Sequence, residues 1–164
     1  MKKILLTLAA TATVFSAFAA DGTFAASNVI NGVRQYIFDT DGTKLATANG
    51  AVQFVYNGAV VGTGTYGFLA PGTFSAGTIS IPGQAGNSVA ITVDVWDKTS
   101  GATFDVATQT LTQTVTITLG GGGVPPATAA PLTGFTGGTL APEPSTIALA
   151  ALGLGGLLFI SRRK

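Results

Sequence analysis

From residue 89 to residue 119 the chain alternates apolar and polar side chains with a period of two. Val89, Ile91, Val93 and Val95 are interleaved with Ala90, Thr92, Asp94 and Trp96, and Leu111, Val115, Ile117 and Leu119 with Thr112, Thr114, Thr116 and Thr118. A β-strand puts each set on one face, because successive Cβ atoms point to opposite sides of the pleat. Upstream, Val52, Phe54 and Tyr56 lead into Asn57-Gly58, a strong two-residue hairpin signal, with Ala59 to Thr63 as the return strand. Further strands are expected around Val29 to Phe38, Thr78 to Ile81 and Ala102 to Val106. Turn signals separate them at Asp41-Gly42, Pro71-Gly72, Pro82-Gly83 and Lys98-Thr99-Ser100-Gly101. No amphipathic helix and no internal repeat is evident in this stretch. The expected fold is all-β: a single antiparallel β-sandwich, with an immunoglobulin-like architecture as one form of it, in preference to a closed barrel.

Composition removes most catalytic designs. The 164 residues include no histidine and no cysteine, so a Ser/His/Asp or Cys/His nucleophile, an imidazole or thiolate zinc site and a disulfide are all excluded. Residues 20–141 carry six acids (Asp21, Asp39, Asp41, Asp94, Asp97, Asp105) against three bases (Arg34, Lys44, Lys98), a net charge of minus three. That balance offers no basic stripe for nucleic acid.

The two ends carry different signals. Met1-Lys2-Lys3 precedes an apolar run from Ile4 to Phe18, and Ala17 and Ala19 stand at the minus-three and minus-one positions of an A-x-A site. This pattern reads as a secretory signal peptide over residues 1–19, cut after Ala19. The run is shorter than the roughly 20 residues a spanning helix needs.

At the other end, Ala141-Pro142-Glu143-Pro144-Ser145-Thr146 is followed by an apolar run from Ile147 to Ile160 and by Ser161-Arg162-Arg163-Lys164. Each proline holds its predecessor extended, which leaves Glu143 presented on an extended segment. Ser145 or Thr146 is suited to cap a helix. A transmembrane helix over 146–161 would rise about 24 Å, a little under the hydrocarbon thickness of about 30 Å. The basic end Arg162, Arg163 and Lys164 acts as a stop-transfer signal and places the preceding chain outside.

The order Pro142-Glu143-Pro144, Ser-Thr, glycine-containing apolar run and basic end resembles the PEP-CTERM sorting signal of Gram-negative bacteria, over residues 141–164. The resemblance implies a partner, the membrane-embedded exosortase, which processes the chain near Pro142, Glu143 and Pro144. It also implies transient residence in the inner membrane and final delivery to the cell envelope or extracellular matrix. Such systems accompany exopolysaccharide production and biofilm formation, and the same tail occurs on some proteins described as ice-binding. A sortase signal of the Leu-Pro-x-Thr-Gly type is not present, since Pro131-Leu132-Thr133-Gly134 has the wrong order.

These signals divide the chain into a signal peptide (1–19), a β domain (20–119), a linker (120–141) and the sorting signal (142–164). The linker assignment rests on the run GGGGVPPATAAPLTGFTGGTLA, rich in Gly, Pro, Ala and Thr. As a mobile tether it would reach about 70 Å and hold the domain clear of a membrane. The alternative is that Pro131 to Phe135 docks on the domain as an extended piece.

Candidate chemistry is sparse. Asp39-Thr40-Asp41-Gly42 has the look of part of a calcium loop but lacks the flanking acids, so an Asp-Gly turn is the ordinary reading. Asp94, Asp97 and Asp105 flank one hairpin and suit either calcium at its tip or solvated turn carboxylates. The row Thr108, Thr110, Thr112, Thr114, Thr116 and Thr118 presents hydroxyls about 6.8 Å apart. One row suggests ice binding only if neighbouring strands repeat it. Trp96, Tyr36, Tyr56 and Tyr66 are candidates to stack on an extracellular polysaccharide or to pack in the core. No catalytic, cofactor-binding or metal-ligating set is expected, and the chain reads as non-enzymatic, with a carbohydrate- or ice-binding module as the alternative.

Overall fold

A computed structural model describes residues 20–122 and 125–142. The signal-peptide residues Ala17 and Ala19, the motif residues Glu143 and Pro144, the expected helix over 146–161 and the basic end Arg162, Arg163 and Lys164 lie outside the described residues. Among the described residues, no helix is long and apolar enough to cross a membrane.

The strands are β1 (Gly22–Ser27), β2 (Val29–Ile30), β3 (Val33–Arg34), β4 (Ile37–Phe38), β5 (Gly50–Tyr56), β6 (Ala59–Ala70), β7 (Thr73–Ile81), β8 (Ser88–Asp97), β9 (Gln109–Thr118), β10 (Ala130–Pro131), β11 (Gly138–Thr139) and β12 (Ala141–Pro142). The all-β expectation holds. In place of two separate facing sheets, hydrogen bonding runs through one curled eight-stranded sheet in the order β10-β1-β7-β6-β5-β8-β9-β12, with two small ribbons, β11-β4 and β2-β3.

Curling has a local cause in β6. Val52 pairs with Tyr66 and Phe54 with Val61, so two steps along β5 are matched by five along β6. Gly62 and Gly64, at φ +84° and +105°, supply the left-handed backbone of this bulge, which sharpens local twist. The far strands then meet. Thr23 of β1 and Gly120, just beyond β9, exchange both backbone hydrogen bonds, at 3.0 and 2.9 Å. A side chain at Gly120 would collide with the Thr128 carbonyl, so only glycine lets the chain at Thr128 pack over this junction.

The predicted alternation is realised on β9 and in the first half of β8, whereas from Val93 to Asp97 both faces of β8 are buried, Asp94 and Trp96 included. Val89, Ile91, Val93, Val95, Val115, Ile117 and Leu119 are buried on the inner face. The core centres on edge-to-face rings: Phe24 to Phe54 at 5.7 Å, Phe54 to Phe74 at 6.0 Å and Phe74 to Phe135 at 5.8 Å, geometries that place ring edges on π faces. The Asn57-Gly58 hairpin forms with φ +50° and +77°, the pair of positive values a type I′ turn needs.

Two strand expectations differ from the structure. Val29 to Phe38 is divided into three short strands: a second left-handed pair, Asn31-Gly32 at φ +51° and +81°, separates β2 from β3, and Gln35-Tyr36 separates β3 from β4. Ala102 to Val106 is not a strand. Phe104–Val106 forms a 3₁₀ turn, which brings Phe104 edge-on to Trp96 at 6.1 Å over a small second core of Ala51, Trp96 and Ala107.

The expected linker also requires correction. From Ala130 to Pro142 the chain is part of the fold: β10 pairs with β1, β11 with β4 and β12 with β9. Leu132, Phe135 and Leu140 are buried in the main core. The docked alternative for Pro131 to Phe135 is the one found. The burial of three large side chains outweighs the loop-like composition, because each contributes about 1.5–3 kcal/mol of apolar transfer free energy.

Candidate functional site: the root of the sorting tail

Both edges of the eight-stranded sheet, β10 and β12, come from this one closing segment. Between them the chain runs as a strap from beside the middle of β1 to beside the middle of β9. Its turn is built by Thr133 N–H donating to Pro131 O (2.8 Å) and Phe135 N–H to Leu132 O (3.1 Å). Gln113 of β9 clamps it. The Gln113 amide donates to Gly134 O (3.3 Å) and Thr136 Oγ1 (3.0 Å), and its Oε1 accepts from Thr136 N–H (3.2 Å). Gln113 lies opposite inward-facing Val93, and its three solvent-exposed hydrogen bonds hold the strap against β9.

The strap then joins a plug at the end of the sheet where β8 finishes and β9 begins. Gly138 N–H donates to Tyr36 O (3.1 Å) and Leu140 N–H to Phe38 O (2.9 Å). The plug is laced to the β6–β7 turn by Ile37 N–H to Gly72 O (3.0 Å), Gly72 N–H to Leu45 O (2.8 Å) and Leu45 N–H to Ile37 O (3.0 Å). Asn28, fully buried, ties it further: its amide donates to Gln35 O (2.7 Å) and Gly72 O (2.9 Å) and its Oδ1 accepts from Phe74 N–H (2.9 Å).

Ala141 pairs with Thr110 and Pro142 with Gln109, and both are exposed. Extended backbone at Ala141 is what the following proline imposes, and a proline suits the outermost strand because it has no N–H to offer a further neighbour. Pro142 is the one residue of Pro142, Glu143 and Pro144 within the described structure. It leaves the domain as the end of an edge strand, with no spacer between the core residue Leu140 and the motif.

The other candidates fall elsewhere. Asp94 is buried on the outer face of β8, its carboxylate accepting from Thr112 Oγ1 (2.9 Å) and Gln53 Nε2 (3.3 Å). Asp97 is buried and accepts from Thr99 N–H (2.7 Å), shaping the β8–β9 connection. Asp41 accepts from Thr43 N–H (2.8 Å) and Thr43 Oγ1 (2.7 Å), which lowers its pKa. Among the described residues, Asp94, Asp97 and Asp105 form no cluster able to hold a metal ion. Trp96 is only 1% exposed and is no platform for a sugar ring. Tyr36 is half-buried, with Lys44 Nζ 3.7 Å above its ring, and the Arg34 hydrogen bond, then Lys44, lower its pKa. Of the threonine row, Thr108 precedes β9, Thr110 is half-buried, and Thr112, Thr114, Thr116 and Thr118 are exposed on β9, whose register sets Thr118, Thr116 and Thr114 beside Ser88, Ala90 and Thr92 of β8. The Thr92 and Thr114 hydroxyls bond each other at 2.9 Å. Hydroxyls thus extend to a second strand, interrupted at Ala90.

A β domain whose last strand ends at Pro142, followed in sequence by Glu143-Pro144, an apolar run and a basic end, defines a sorted, exported cargo protein. The chain carries the PEP-CTERM protein-sorting motif over residues 140–164, which marks it as an exosortase target exported by way of the membrane. The matched region begins at Leu140, inside the folded domain. No curated protein and no solved structure matches the chain.

Proposed function

We propose that the protein is a non-enzymatic component of the cell envelope or extracellular matrix, exported by its signal peptide and halted in the inner membrane by the apolar run before Arg162, Arg163 and Lys164. Exosortase then processes it near Pro142, Glu143 and Pro144. The observation that supports this reading best is the motif at residues 140–164 rooted directly on an exposed edge strand, where a processing enzyme meets an extended backbone. Intact-mass measurement of the extracellular form tests it. The expected species lacks Met1 to Ala19 and the basic end but retains Leu140. Recovery only of chain ending at Lys164 would show permanent anchoring instead.

A second reading, a carbohydrate- or ice-binding surface, draws on the hydroxyls that β8 and β9 present side by side at Thr92, Thr114, Ser88 and Thr118. Thermal hysteresis and a glycan array test it, and silence in both would leave the matrix role alone.

A further inference from the structure

The path of the strands puts the root of the tail at one end of the domain. β1, β6 and β8 finish at the same end of the sheet at which β5, β7 and β9 begin, because Ser27 pairs with Ser75, Phe68 with Phe74, Gly50 with Asp97 and Trp96 with Thr110. Pro142, opposite Gln109, leaves the fold at this end. Only Glu143 to Thr146 separate it from the apolar run that starts at Ile147. Five Cα steps cover at most about 18 Å, whereas the ten residues of β8 span about 30 Å. With residues 130–142 held in the sheet, no tether longer than this remains, and the end from which the tail departs stays within that reach of the surface that the tail enters.

The surface of this end fits that position. Five large apolar residues are exposed among the described residues: Val29 (38%), Val33 (59%), Val60 (49%), Leu69 (69%) and Val106 (62%). Four belong to the tail end. Val29 and Val33 sit on the β2–β3 ribbon that continues from β1. Leu69 flanks the β6–β7 turn, and Val106 lies on the 3₁₀ turn three residues before Gln109. Val60 is at the opposite end, beside the Asn57-Gly58 turn. Exposed apolar side chains gathered at one pole of a domain mark a contact surface. All three bases, Arg34, Lys44 and Lys98, are at this pole too, but Asp39, Asp41 and Asp105 accompany them, so the contact is apolar in character.

The geometry points to a lipid bilayer as the occupant. While the tail is inserted, the β2–β3 ribbon, the β6–β7 turn and the β8–β9 connection rest on the membrane, with Val33, Leu69 and Val106 at the headgroup level. This inference depends on the reading that the apolar run enters the membrane.

The chain has no cysteine, so single labels are clean. Val33→Cys, Leu69→Cys, Val106→Cys, Val60→Cys and Leu154→Cys variants of the chain from Ala20 to Lys164 would each carry an environment-sensitive fluorophore. They would be reconstituted into phosphatidylethanolamine/phosphatidylglycerol vesicles containing spin-labelled lipid. The expected result is strong quenching at Leu154→Cys, and quenching at Val33→Cys, Leu69→Cys and Val106→Cys several-fold above that at Val60→Cys. Quenching at Leu154→Cys with the other four positions alike overturns the bilayer contact and leaves the sorting reading standing. An unquenched Leu154→Cys overturns the membrane step of that reading and the inference with it.

Discussion

Replacing Phe135 by alanine tests whether the closing segment belongs to the core. The ring is 2% exposed and stands 5.8 Å from Phe74, edge-on at 71°. A buried Phe→Ala change costs about 3–5 kcal/mol in lost transfer free energy and residual cavity. The whole domain holds only about 5–15 kcal/mol. A loss near 3 kcal/mol would lower Tm by roughly 10–15 °C for a domain of this size. Urea unfolding followed by Trp96 fluorescence suits the measurement, because Trp96 is the only tryptophan and packs in the small second core, with Ala51, Ala107 and Phe104 as its neighbours. Val106→Ala, at an exposed position, should stay within about 0.5 kcal/mol and serves as the control. If Phe135→Ala shifts the transition by less than about 1 kcal/mol, the strap is detachable and the domain ends near Leu119.

At Asn28, an aspartate would set carboxylate oxygens against the Gln35 and Gly72 carbonyls that the amide now serves. Asn28→Asp should cost about 2–4 kcal/mol at neutral pH. Burial raises the folded-state pKa of the new carboxyl, so the variant should be least impaired below about pH 4 and lose stability as pH rises above it; a pH-independent deficit in urea midpoints would contradict this. Asp41 shows the opposite sign. Its carboxylate titrates below the ordinary 3.8 because Thr43 donates to it from its side chain and backbone, so its contribution is present above that value and fades as pH falls through the lower folded one. A carboxyl NMR titration placing Asp41 at or above 3.8 would refute the turn geometry.

Much of the sheet was legible because period-two alternation is a local property: Val89 to Trp96 fixes which side chains face inward before any partner strand is known. Asn57-Gly58 was legible for the same reason, since its positive φ values follow from the residues themselves. The Asn31-Gly32 turn carried an equal signal inside a stretch expected to be one strand. The sorting motif is likewise linear, a run of prolines, apolar residues and bases that a membrane and an enzyme meet in order. The strap was harder. Gly, Pro and Thr surround Leu132, Phe135 and Leu140, and their composition alone describes a loop. One clue lay in Gln113, which interrupts the apolar row of β9 between Leu111 and Val115 at the place where the strap docks.

The amino-acid order by itself determined the all-β class, the exclusion of histidine and cysteine chemistry, and the sorting motif at residues 140–164. Tertiary structure alone decided that the sheet curls until Thr23 meets Gly120, that the last strands supply both of its edges, and that the tail departs from the pole bearing Val33, Leu69 and Val106. The physical reason is range. Pleat, turn and capping preferences act within a few residues, while edge pairing and the filling of a gap depend on surfaces brought together from more than a hundred residues apart, as Phe24 and Ala130 are.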